Sequence, residues 1–395
     1  MRHTSPGGGR SASGRIATIA LVATSGVAVI YVPQPIQTLV AADFGVSIAD
    51  SAAANVAVQA GYALGVLLFV SLGDRFSPRS QVGIQLAATA VALTGAAAAP
   101  SHGAYVVMCF IAGATATVGQ ILITTALRIA PVETRARIVG VLVGSFLVGL
   151  FLVRTTLGAL ADLVGWRGVI MGMVVLLLVL VAVSRRVVPD DPRESPPRVL
   201  RILLSIPRIA QKSSTLRLLT LVHALCFAAF IGVWSLSTVH AVTDLGFSVG
   251  AAALIGIAGI IGGAATILVA PAHHRVGSRR SFGVSLAALL VGSIILAVAP
   301  GTVGTVVAGL LLVSFGLSNG QVSTQSRALA SVPPEENGRA NTVFVACTFL
   351  AGAIATAIAE LVYRMGGFGA VSAVSLGYVL VAILLTTVAV RKNHL

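Results

Sequence analysis

The sequence predicts an all-α integral membrane protein, with twelve transmembrane helices in two pseudo-symmetric six-helix bundles. Three observations lead there. Of the 395 residues, 56% are hydrophobic and only 10% charged, with a mean hydropathy of +0.98, a balance foreign to soluble globular domains. Apolar stretches of about 20 residues, the length that crosses the hydrocarbon core, recur along the chain. One segment rich in proline and charge interrupts them near the middle, with six stretches before it and six after.

By that ruler the spans fall at 15–42, 51–72, 82–100, 103–128, 138–163, 168–187, 217–240, 249–271, 281–299, 302–327, 340–363 and 369–390. The first holds Tyr31, Gln34 and Gln37 around Pro33 and Pro35. Two prolines break the helical hydrogen-bond ladder, which a bilayer tolerates beside a cavity. The second runs into the charged turn GDRFSPRS, and the fourth carries Gln120 and Thr124 deep among apolar residues. The fifth carries Arg154 near its centre, where a charge costs about 2.5–3.5 kcal/mol on insertion scales and so faces a cavity or a partner. The stretch 189–216 is the expected linker, its proline and charge marking a boundary, and 198–212 reads as a short amphipathic helix on the inner leaflet. The seventh span offers Trp234 and Ser235, and the tenth Asn319, Gln321 and Gln325. The organisation is then a disordered tail (1–14), a bundle (15–188), the linker (189–216), a second bundle (217–390) and a short tail (391–395). Forty-two glycines suit close helix contact in a bilayer.

The net charge of +14 follows topology. Nearly all of the 26 Lys and Arg residues lie in the tails, the linker and alternate connections; the opposite connections hold only Arg167 and Arg364. By the positive-inside rule both termini are cytoplasmic, and the basic excess meets anionic lipid rather than nucleic acid. The first apolar run lacks a small-residue cleavage site and reads as a retained helix. Cys109, Cys226 and Cys347 fall within separate spans and suggest no disulfide framework. Trp166 reads as an interface anchor.

The halves match each other at a shift of about 200 residues. GDRFSPRS pairs with HHRVGSRR, aligning Arg75 with Arg275 and Arg79 with Arg279; Gly119-Gln120 pairs with Gly320-Gln321; Pro131, Glu133 and Arg137 pair with Pro333, Glu335 and Arg339; Asp162 pairs with Glu360. Four matches in order imply a duplicated six-helix unit. Such repeats place a substrate site between the halves near the midplane, and rocking gives alternating access.

With these features the chain resembles the major facilitator superfamily over nearly its whole length. The loop VSLGDRFSPRS is similar to that family's signature G-x-L-x-D-R-x-G-R-R/K at Leu72, Asp74, Arg75 and Arg79, with Val70, Ser77 and Pro78 departing from it. The resemblance implies that Asp74 latches the halves on the cytoplasmic side, at the amino end of span eleven, with Arg75, Arg79 and Arg275 as its gating neighbours. The segments YVPQPIQTLVAADFGVS and FLVRTTLGALADLVGWRG resemble the bacterial drug and sugar efflux branch, which implies proton antiport. Cys109 stands where proton-linked relatives carry an arginine in span four, and span five lacks the proline of the antiporter motif.

The candidate substrate residues are therefore Arg154, Gln120, Thr124, Tyr31, Gln34, Asn319, Gln321, Gln325 and Trp234. Each has a plainer reading: a helix kink for Tyr31 and Gln34, interhelical hydrogen bonds for the amides, an interface anchor for Trp234. Arg154 has three: a ligand for an anionic or strongly hydrogen-bonding substrate, a partner for a titrating carboxylate, or a cation satisfied by neighbouring helices. Asp162, eight residues on, lies about 12 Å further along the helix, too far to pair with it. Every acid falls near a span end or in a loop, which disfavours a cationic substrate. Proton coupling would use Asp162 or Glu360, or His223 near the inside. No nucleophile–base pair, metal-ligand cluster or phosphate loop is present, so neither an enzyme nor a cofactor is expected. The expectation is a monomeric, gradient-driven exporter of a small organic molecule in a bacterial inner membrane. A proton-independent facilitator or uptake permease, and a non-transporting receptor or assembly factor, are the alternatives.

Overall fold

The computed structural model describes residues 8–70, 76–129, 132–188, 190, 208–209, 211–333 and 336–391, with side chains outside 8–16, 124, 126–148, 267–276 and 278. Asp74, Arg75, most of the linker and the side chains of Thr124 and Arg275 lie outside the described set.

Every element among the described residues is helical. In the amino half these are α1 (Gly8–Ala28), α2 (Gln37–Phe44), α3 (Ile48–Ser51), α4 (Ala53–Gly65), α5 (Pro78–Ala97), α6 (His102–Thr115), α7 (Val118–Ile129) and α8 (Val132–Val187). The carboxyl half has α9 (Ser214–Thr243), α10 (Val249–Ala253), α11 (Gly256–Val276), α12 (Ser278–Val298), α13 (Val303–Ala330) and α14 (Asn337–Arg391). Eight helical stretches among the described residues are long and apolar enough to cross a membrane. The outward faces carry exposed Ile84, Val91, Leu163 and Met365, side chains that belong in lipid.

Hydroxyl caps set where the helices begin. Ser77, Ser101, Ser213, Ser248 and Thr302 each accept a hydrogen bond from a first-turn backbone N–H, and Pro78 fills the first position of α5. Helix α8 has 56 residues, about 84 Å if straight and more than twice the hydrocarbon thickness. It kinks at Gly165, whose φ of 69° is left-handed, and α14 kinks likewise at Gly366–Gly367. Each long helix is thus two helices joined at a kink.

Two helices break where polar residues cluster. The first expected span stops at Ala28, passes through a 3-10 turn at Val29–Tyr31 and the residues around Pro33 and Pro35, and resumes at Gln37. The fourth breaks at Ala116–Thr117, between α6 and α7, where Thr117 Oγ1 donates to Gln85 Oε1 at 2.9 Å. Within the amino half α4 and α6 touch backbone to backbone: a Cβ on Gly113 would stand 2.0 Å from the Val58 carbonyl oxygen. Trp166 corrects the interface-anchor expectation. It is 5% exposed, packed edge-on to Tyr105 at 5.4 Å, with the Arg167 guanidinium 4.1 Å from its ring centre.

Candidate functional site

A cavity lies between the halves. From the amino half it is lined by Tyr31 after α1, Tyr62 in α4, Gln120 in α7 and Phe151 in α8. The carboxyl half contributes His223, Phe227, Phe230 and Trp234 from α9, Ser318, Gln321 and Gln325 from α13, and Phe344 and Phe349 from α14. Tyr31, Gln120, Gln321, Gln325 and Trp234 are thus brought together in one wall.

Trp234 is the most constrained member of the wall. Phe151 meets it edge-on at 4.7 Å, Phe230 stacks on it at 5.3 Å, and the Arg154 guanidinium carbon sits 4.8 Å from its ring centre. Arg154 is 3% exposed. Its Nη2 donates to Ser237 Oγ at 3.1 Å and Thr238 Oγ1 at 2.9 Å, so a cation of α8 is satisfied by hydroxyls of α9, in the other half. Its Nη1 has no hydrogen-bond partner. No carboxylate pairs with it among the described residues. Arg154 thus stands behind the wall, its guanidinium over Trp234, bonded to the facing helix through Nη2 and with Nη1 unpartnered.

An amide chain crosses the cavity. Gln325 Nε2 donates to Asn341 Oδ1 at 2.6 Å, and Asn341 Nδ2 donates to Gln120 Oε1 at 3.2 Å. His223, expected near the inner end, instead belongs to the wall: its ring stacks on Phe344 at 4.9 Å and its Nδ1 lies 3.3 Å from Thr324 Oγ1. Two assignments are corrected. Asn319 is outside the wall, its Nδ2 donating to Ser281 and Ser285 of α12. Gln34 is fully buried at the proline break and does not reach the cavity, its amide without a hydrogen-bond partner.

A seal closes the end of the molecule remote from Gly8 and Arg391. Asp50 Oδ1 accepts from Arg364 Nη2 at 2.7 Å, Thr356 Oγ1 from Gln59 Nε2 at 2.9 Å, and Asp162 Oδ2 from the Gly250 backbone N–H at 2.9 Å. Gln37 Nε2 donates to Glu360 Oε1 at 3.0 Å, and Gln37 Oε1 accepts from Asn55 at 2.8 Å. All but the last join the two halves. Glu360, near a span end as expected, is nonetheless buried. It is 4% exposed with Oε2 unpartnered, because the kinked α14 carries it inward against the broken first span. It belongs to the seal and not to the cavity wall.

Arg79, expected in the latch, donates through Nε to the Val188 carbonyl at 3.0 Å and lies 3.8 Å from Asp190, joining α5 to the start of the linker. Beyond the end of α9, Asp244 accepts from Tyr363 at 2.9 Å and Thr243 at 3.0 Å and lies 2.6 Å from His240 Nδ1. Partial burial acts to raise its carboxyl, but the bonds to His240, Tyr363 and Thr243 win and hold it below the usual carboxylate range. No group of three or more His, Cys, Asp or Glu gathers as a metal site among the described residues.

The sequence reading passed over Tyr62, Phe227, Phe230, Ser318, Phe344 and Phe349. One signal was available: Phe227, Phe230 and Trp234 recur at spacings of three and four, one face of a helix.

The chain matches the Major Facilitator Superfamily over residues 16–356 and 275–393. It is 25% identical over 351 residues to the uncharacterized transporter YgaY of Escherichia coli O157:H7, covering 86% of each chain. It is 28% identical over 360 residues to the probable transporter SCO4007 of Streptomyces coelicolor, covering 90% of this chain and 83% of that one. Among solved structures it superposes on a bacterial homologue of the human lysosomal transporter Spinster, inward-facing and occupied, with a TM-score of 0.74 at 13% identity, covering 98% of both chains. On the Escherichia coli xylose transporter XylE, partially occluded and inward-open, the TM-score is 0.70 at 17% identity, covering 94% of this chain and 97% of the other. At such identities the likeness is one of fold.

Proposed function

The chain belongs to the Major Facilitator Superfamily of membrane transporters, and from that premise we propose that it exports a small organic molecule in exchange for protons. The observation that carries the reading is a cavity walled by both halves, sealed at one end by polar contacts that cross between them. Alternating access requires contacts that hold one state and part in the other, and bonds of about 0.5–1.5 kcal/mol each suit that role. With both termini cytoplasmic, the seal faces outward and the substrate is taken up from the inside. The protein acts as a monomer in a bacterial inner membrane, without cofactor.

Glu360 is the proposed coupling group. Its carboxyl is shut away while the seal is closed and meets outer water when the halves separate, so its protonation is tied to the opening of that end. Asp162 is engaged by the Gly250 N–H and serves as a latch. His223, in the wall, is placed to sense the substrate. Arg154 positions Trp234 rather than contacting the substrate.

The test uses proteoliposomes with an internal pH dye and an imposed proton gradient, to which aromatic amides, sugars, organic anions and cationic dyes are added in turn. A class that discharges the gradient in the parent protein, and fails to in Glu360→Gln, supports exchange through Glu360. A second reading, proton-independent facilitation, is favoured by the absence of Asp and Glu from the described cavity wall. It is selected if labelled substrate equilibrates while the gradient stands.

A further inference from the structure

The composition of the cavity wall limits what fits it. Only 5% of the chain is Phe, Trp or Tyr, yet eight of the 19 wall residues are. They are locked among themselves: Tyr62 meets Phe349 edge-on at 4.4 Å, Phe227 lies 5.0 Å from Phe349, and Phe230 stacks on Trp234. A ligand enters a rigid aromatic box whose ring faces and edges favour another ring.

Charge is the second constraint. Among the described residues no Asp, Glu, Lys or Arg lines the wall. The guanidinium of Arg154 lies over the Trp234 ring, with Nη2 engaged by Ser237 and Thr238. A full charge on the ligand would be stripped of water with no charged side chain in the wall to meet it, since Arg154 stands behind the indole and is not among the lining residues; that costs far more than burying a satisfied polar group.

The third constraint comes from three wall groups buried to within 1% and left without a hydrogen bond, Tyr62 Oη, Trp234 Nε1 and Ser318 Oγ. An indole N–H only donates, so its partner must accept. Other polar groups of the wall are already engaged: Thr348 Oγ1 with the Phe344 carbonyl, Gln325 and Gln120 with Asn341. A polyhydroxylated ligand would find too few partners and leave several hydroxyls unpaired.

Resting on the transporter reading of this same cavity, we propose that its substrate is an uncharged, planar aromatic molecule carrying one or two hydrogen-bond acceptors. The acceptor meets Trp234 Nε1, and Ser318 and Gln321 supply the adjustable contacts beside it.

The experiment is calorimetric titration of the full chain in lipid nanodiscs, with no gradient. The probes are 2-naphthamide, 2-naphthoate, 2-naphthylmethylammonium and xylose; the first three share a ring system and differ in charge. The amide is expected to bind, the two ions at least about tenfold more weakly because their charge is unmatched, and xylose without detectable heat. Trp234→Phe keeps a ring and removes the donor, and should weaken the amide by about tenfold while an unchanged melting temperature shows an intact fold. Tighter binding of either ion, binding of xylose, binding of none of the four, or an unaffected Trp234→Phe each overturns the proposal. Because binding is read without a gradient, its failure is separable from that of proton coupling. Amide binding with no proton flux removes the coupling alone, and proton flux driven only by a cationic dye removes the substrate class alone.

Discussion

At the scale of single residues, Arg154 illustrates how a buried cation is accommodated. Its guanidinium is planar and forked, so it reaches two hydroxyls of the facing helix and lies over an indole in one placement. Arg154→Lys keeps the charge but supplies a compact ammonium, and should lower transport about tenfold with normal membrane insertion. Arg154→Ala, leaving Ser237 and Thr238 without their donor, should abolish it; wild-type rates in either variant would remove the positioning role. Gly250 is equally exacting, since a Cβ there would stand 2.6 Å from Asp162 Oδ2. Gly250→Ala should therefore break the latch and speed maleimide labelling of a cysteine placed at Gln34, in a cysteine-free background. Adding Asp162→Asn should bring little more, because both changes remove one contact. Asp244 gives a pH dependence of known sign. Its folded carboxyl is held below the unfolded value, so its stabilisation is complete above about pH 4 and is lost as pH falls through the lowered folded value. The parent should lose melting temperature on acidification below that point more steeply than Asp244→Asn; parallel curves would show that the bonds from Tyr363 and Thr243 contribute nothing.

At the scale of elements, α8 and α11 meet across the halves through glycine. A Cβ on Gly256 would reach Thr155 Oγ1 at 2.1 Å, and one on Gly259 would fall 2.3 Å from the Phe151 ring. Phe151 in turn braces Trp234, so this contact connects the seal to the cavity. Gly259→Val should cost about 1–3 kcal/mol of overpacking and weaken ligand binding, and Phe151→Ala added to it should recover part of the stability. A pair that merely adds would place the two residues out of contact. Spans, breaks and kinks were largely legible in the sequence, because hydropathy, the proline pair and the small-residue turns act locally. The break at Ala116–Thr117 was not, for it answers to a hydrogen bond from Thr117 to Gln85 on a separate helix. The place of Asn319 outside the wall and the burial of Glu360 were hidden for one reason. A polar residue in an apolar span is visible in sequence, but which helix it faces is decided by packing, and one turned to α12 while the other turned inward to Gln37. The aromatic wall was least legible, since phenylalanine in a membrane span is unremarkable until five helical segments bring such rings together.

At the scale of the molecule, the duplication is visible in how the two halves close on each other. Asp162 and Glu360 occupy matching places in the repeat, and each reaches across to the opposite half. Asp162 meets a backbone N–H ahead of α11, and Glu360 meets the side-chain amide of Gln37. The same position thus holds an exposed carboxylate on a backbone N–H in one half and a buried carboxyl in the other, an asymmetry that the proposed proton exchange through Glu360 would use. The seal's strength bears on whether a substrate can open it. Shifting a two-state equilibrium from 1:99 to 99:1 takes about 5.5 kcal/mol. The pair Asp50–Arg364 is exposed and screened by solvent, so it adds little, and each remaining contact contributes about 0.5–1.5 kcal/mol. Together they amount to a few kcal/mol, within reach of ligand binding plus one protonation. Removing two of them should accordingly shift the resting population without unfolding the protein. Spin labels at Ala42→Cys and Phe247→Cys, one on each half at the sealed end, should show a single short distance in the parent. With Asp50→Asn and Asp162→Asn added, a longer distance should rise to a substantial fraction. An unchanged distribution would mean that apolar packing of the helices, and not the polar seal, holds this end shut.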